Sequence, residues 1–131
     1  MTPHRILQIN ATATAASATG LLGARNVLFP LFGLASPVVI DIVAVSFLFY
    51  AAALVVTANA RPVGRAALLA FAVVDAAWVA ASAVVLVLFW AQLSPFARLL
   101  IIAVALVVEV FATLQYRAAG VTSRRRESVA A

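Results

Sequence analysis

The chain has 131 residues, 66% of them hydrophobic and 10% charged, with a formal net charge of +5 and a mean hydropathy of +1.16; this lies outside the soluble globular range and leaves room for one compact membrane unit. All nine basic residues are Arg and most sit in short segments between apolar runs, so they read as determinants of membrane topology and not as a nucleic-acid surface. There is no Cys, no Lys and a single His at position 4, which excludes thiolate and Fe–S centres, a Schiff-base cofactor and an intramembrane bis-His site; neither a cofactor nor a metal is expected.

In chain order, a short polar lead with His4 and Arg5 precedes a first span over residues 6–29, the least hydrophobic of four. The apolar core ahead of the small-residue sites Ala11-Thr12-Ala13 and Ala16-Ser17-Ala18 is only Ile6–Ile9, broken by Gln8, which is short for a cleaved signal peptide. The run ATATAASATG suits a helix inside a bundle, where small side chains admit close backbone approach and hydroxyls are available to neighbouring helices. Arg25 and Asn26 mark its far end, and Pro30, Gly33 and Pro37 then interrupt an apolar connection over 27–37 that reads as an interfacial turn, with a re-entrant element as the alternative.

The second span covers 38–59. Ser36 is expected to cap it, Pro37 to tolerate its first position, and Asp41 to sit in its first turns, where the helix dipole favours an anion and Arg25 lies opposite. Arg61 and Arg65 bracket a tight turn into the third span, 66–91, which contains AALLAFAVVDAAWVAASAVVLVLFW with a single charge, Asp75, near its middle. A carboxylate at that depth costs roughly 3 kcal/mol on insertion scales, so it has to be paired, protonated or functional. Ser94-Pro95 opens the fourth span, 96–116, which carries Arg98 near its start and Glu109 inside. Beyond Arg117, residues 118–131 form a basic tail with Arg124, Arg125 and Arg126, expected to be disordered or to rest on lipid headgroups.

The pattern therefore predicts an all-α integral membrane protein, four transmembrane helices in an up-down bundle. Seven of the nine Arg fall on the side of the termini and only Arg25 and Arg98 on the other, which makes both termini cytoplasmic and suits a bacterial inner membrane.

Counting from the cytoplasmic Arg of each helix places Thr14, Tyr50, Asp75 and Glu109 in one layer, about 12–17 Å deep at about 1.5 Å per residue. Asp75 lies fifteen residues before Trp90 and Glu109 fourteen after Pro95, so the two carboxylates face each other across the last hairpin if both point inward. Two acids at one depth in low dielectric are expected to share a proton, which is the chemistry of a proton carrier or a site for a cationic ligand. Asn10, Thr14, Tyr50 and Trp78 complete the candidate pocket; the plainer reading makes Asp75 a neutral acid bonded to Asn10, Gln8 or Tyr50 as interhelical glue. Function is then expected to be binding or proton-coupled transport of a small hydrophobic or cationic molecule through the carboxylate pair. The alternative is a non-enzymatic accessory subunit that docks on other membrane subunits or on a second copy. An enzyme is not expected, because nucleophilic Cys, intramembrane His and ligand clusters are missing.

Overall fold

A computed structural model describes all 131 residues as four helices joined by short turns: α1 (Pro3–Leu31), α2 (Val38–Asn59), α3 (Arg65–Phe89) and α4 (Pro95–Ala130). Helix starts follow local chemistry. The Thr2 hydroxyl accepts from the Arg5 amide at 3.3 Å with Pro3 in the first turn, and Ser94 accepts from the Ala97 amide at 3.1 Å with Pro95 behind it. The expected Ser36 cap does not form: Pro37 itself occupies the cap position of α2 and no side chain reaches the first turn, because Ser36 falls one residue too early. No re-entrant element occupies 27–37 either. α1 runs on through Pro30, which forgoes only one helix bond in the final turn, and the chain reverses at Gly33 in the left-handed region at φ +68°.

The tail, expected to be disordered or to rest on lipid headgroups, is helical: α4 continues for 36 residues, about 54 Å, to Ala130, well past the ~30 Å of a bilayer core. Ala118 and Ala119 are buried against α1 and carry the helix beyond Arg117, and Thr122 bonds back to the Ala118 carbonyl at 2.9 Å.

Contacts between helix ends fix the topology. His4 at the start of α1 bonds through Nδ1 to the carbonyl of Ala58 in the last turn of α2, while Arg25 and Asp41 pair at the opposite end of the same two helices, so α1 and α2 are antiparallel. Arg98 on α4 likewise closes the end of α3, donating from Nε at 3.1 Å and Nη2 at 2.8 Å to the Trp90 carbonyl while its guanidinium lies 4.3 Å from the Trp90 ring centre. Packing is uneven: α1 lies along α2, α3 along α4, and the two hairpins meet through α1 and α4. At one end all four helices converge on an apolar cluster of Ile6, Leu7 and Ala11, Leu54 and Ala58, Leu68, and Ala118 and Ala119. At the other end the two turns lock together, with the Ser94 amide donating to the Leu31 carbonyl at 2.9 Å and Gly33 so close to Gln92 that a Cβ there would stand 2.9 Å from its carbonyl oxygen.

Three of the helices, α2, α3 and α4, are long and apolar enough to cross a membrane; α1, with Gln8, Asn10 and its Thr and Ser residues, is not among them. The outer surface suits hydrocarbon. Phe49, Val56, Val73, Val87, Leu99 and Leu106 are each between 64% and 79% exposed, an apolar surface that water would penalise.

Candidate functional site

Midway along the bundle, Asp75 is 4% exposed and each of the other three helices sends it a donor. Asn10 Nδ2 on α1 donates to Oδ2 at 3.0 Å, Gln115 Nε2 on α4 donates to the same oxygen at 3.1 Å, and the Tyr50 hydroxyl on α2 donates to Oδ1 at 2.7 Å. Thr14 extends the network by donating to Asn10 Oδ1 at 3.1 Å, which fixes the asparagine with its amide nitrogen toward the acid. The aspartate thus has one fully used oxygen and one, Oδ1, with a single partner and room for another. No basic side chain reaches it. The one ion pair in the fold is Arg25 with Asp41, at 2.9 Å and on the bundle's other end.

Two aromatic pairs bridge α2 and α3 at this level, since the backbones of these consecutive helices are not packed on one another. Phe47 meets Trp78 edge to face with ring centres 4.8 Å apart, and Tyr50 meets Phe71 at 5.6 Å. Trp78 Nε1 is buried with no partner, as is Gln115 Oε1. Beside Asp75 a cavity of about 450 Å³ is lined by Asn10, Thr14, Tyr50, Asp75 and Trp78 together with apolar residues of α4. A second cavity of about 590 Å³, almost wholly apolar, adjoins it toward the Arg25 end.

No family model, curated protein or solved structure matches this chain.

Five of the six candidate pocket residues therefore come together: Asn10, Thr14, Tyr50, Asp75 and Trp78. Glu109 does not, and the carboxylate pair is not formed. Its side chain is exposed on the outer face of α4, without an ion pair or hydrogen bond. The reason is angular. Six residues of helix separate Glu109 from Gln115, which turns it by roughly 120° away from the face that meets α3.

Gln115, fully buried, takes the place beside Asp75 expected for Glu109 and is the network residue absent from the candidates the sequence suggests. A count along the Cα trace matches Asp75 with Glu109, but helical side chains lean toward their own N-termini, and in an antiparallel pair these leanings are opposed. Asp75 leans toward the Arg65 end and Gln115 toward the Pro95 end, so they meet although their Cα atoms are out of register. The signal that finds Gln115 is the helical spacing of Phe111, Ala112, Gln115, Ala118 and Ala119, all buried on one face of α4.

The remaining polar residues are local. Thr12, Ser17, Thr19, Ser46 and Ser82 each donate to a carbonyl four residues back in their own helix at 2.8 to 2.9 Å, so their hydroxyls do not join helices. Gln8 is exposed and takes no part; Arg61, Arg65 and Arg117 are exposed at the end where the termini lie. No group of three His, Asp or Glu side chains comes together in the fold.

Proposed function

We propose that this is a four-span protein of a bacterial inner membrane, both termini cytoplasmic, that binds a small hydrophobic cation at Asp75. The topology is supported by the Arg distribution, seven at the end that gathers the termini and two at the other. α1, polar for a span, is acceptable there because Asn10 and Thr14 spend their hydrogen bonds on the network around Asp75.

The observation that carries the binding reading is a buried carboxylate beside a cavity of about 450 Å³, held by three neutral donors and by no base. Neutral donors orient a carboxylate but do not cancel its charge, and a cation in the cavity would. Tyr50 and Trp78 line the same cavity, and aromatic rings attract a cation. The test is binding of n-decylammonium to the protein in lipid nanodiscs, followed by native mass spectrometry and titration calorimetry. Wild type should bind with Asp75→Asn at least about tenfold weaker, the equivalent of one lost charge-assisted hydrogen bond. Equal affinity of the two proteins would reject the site.

A further inference from the structure

The two cavities share Ser17, Phe47, Trp78 and Val104, so they form one slot between the α1–α2 and α3–α4 hairpins. Its ends are shut. At the Arg65 end stands the apolar cluster to which all four helices contribute, with Leu7, Leu54 and Leu68 fully buried. At the Arg25 end the Leu31–Ser94 hydrogen bond and the seating of Gly33 on Gln92 join the two turns over buried Leu93 and Ala97. The sides are not shut. Val39 and Val85 line the outer part of the slot and are 50% and 38% exposed, while Val74 and Val107 line the inner part and are 50% and 51% exposed. All four lie within apolar helix, where the surroundings of a membrane protein are hydrocarbon.

We infer that the slot is reached sideways from the bilayer, and that its occupant is a membrane-dissolved single-chain amine whose ammonium group sits at Asp75 and whose chain lies along the outer cavity. The assignment rests on the proposed role of Asp75 and adds the route and the shape of the ligand. Polarity is divided along the slot as such a molecule requires. The inner part presents Asn10, Thr14, Tyr50 and Asp75, whereas in the outer part the hydroxyls of Ser17 and Ser82 are already spent on their own helices, leaving an apolar trough. A hydrated, water-borne cation has no passage at either end; an amphiphile already in the leaflet has its chain at the level of the opening.

Trp78 lines both parts of the slot, so it reports on the occupant. With Trp90→Phe as background it is the only tryptophan, and the protein is reconstituted in vesicles of phosphatidylcholine brominated on the acyl chain. The expected result is strong quenching by the brominated chains and none by aqueous iodide, with most of the bromine quenching lost when Ser17→Phe or, independently, Val104→Phe plugs the slot. n-Dodecylammonium should also relieve the quenching, whereas tetraethylammonium, soluble in water only, should not. Iodide quenching, or bromine quenching undiminished in both plugged proteins, would overturn lateral access. Relief by dodecylammonium that persists in Asp75→Asn would leave the route standing and remove Asp75 as the anchor, so the two readings fail separately.

Discussion

The hydroxyl of Tyr50 is the only group bonded to Asp75 Oδ1, with the Phe71 carbonyl a further 3.4 Å from it, whereas Oδ2 has two donors. The three donors therefore differ in what their loss leaves behind. Tyr50→Phe strips one oxygen of its only partner, and Gln115→Met removes one of two donors together with Gln115 Oε1, which is buried without a partner in the native fold. Hydrogen bonds between membrane helices average about 0.6 kcal/mol and reach about 1.7, so Tyr50→Phe should cost about 1 kcal/mol or more and Gln115→Met less than that. Reversible unfolding in mixed micelles measures both, and a larger loss for Gln115→Met would show that Oε1 has a partner the geometry does not reveal. At this scale the sequence was legible where polarity was rare. Asp75 stands out because nothing else in its span is charged, and Thr14 and Tyr50 because depth counting sets them at its level, with Asn10 one turn before Thr14 on the same helix. Gln115 does not stand out, being two residues from Arg117 and outside the layer that depth counting selects; only the opposed leaning of antiparallel side chains brings it in.

Helix by helix, α4 shows how far periodicity reaches and where it stops. Its apolar run from Phe96 is readable as a span, yet Glu109 lies off the inward face expected for it and the helix continues past Tyr116, where the span is expected to end. Face assignment fails in a lipid-facing helix because both the buried and the outer sides are apolar, so the hydropathy contrast that identifies a soluble helix's core face is absent. Glu109 gives a prediction at this scale. It meets the surroundings in the folded bundle and in the separated helix alike, so replacing it should alter partition and not packing. Glu109→Leu should favour insertion of α4 by up to about 3 kcal/mol in a reporter assay for membrane insertion, while the melting temperature and the affinity for decylammonium stay at the wild-type values. A loss of folded stability would mean that the carboxylate is engaged in the assembled protein. The helix starts repeat the lesson on a smaller scale: Ser94-Pro95 and Ser36-Pro37 are the same dipeptide, but only Ser94 caps, since capping depends on where the first turn begins and that is decided by the packing of the turn before it.

For the whole molecule, the decisive feature is the contrast between tight ends and a loose middle. Composition and Arg spacing foretold four helices of alternating direction, but not that α2 and α3, joined by a five-residue turn over 60–64, would stand apart and touch mainly through aromatic side chains. Pairing strength is set by side-chain fit, which is invisible in a string of Ala, Val and Leu. The clasped ends carry an electrical consequence. A column of water cannot thread a bundle whose cluster of fully buried leucines closes one mouth and whose joined turns close the other, so the expected electrical behaviour is that of an insulator, despite the large internal space. Vesicles holding a potassium gradient should keep their valinomycin-set diffusion potential when the wild-type protein is reconstituted, and widening the closed mouth with Leu7→Gly and Leu68→Gly should let that potential decay; the dissipation of a voltage-sensitive dye signal reads both.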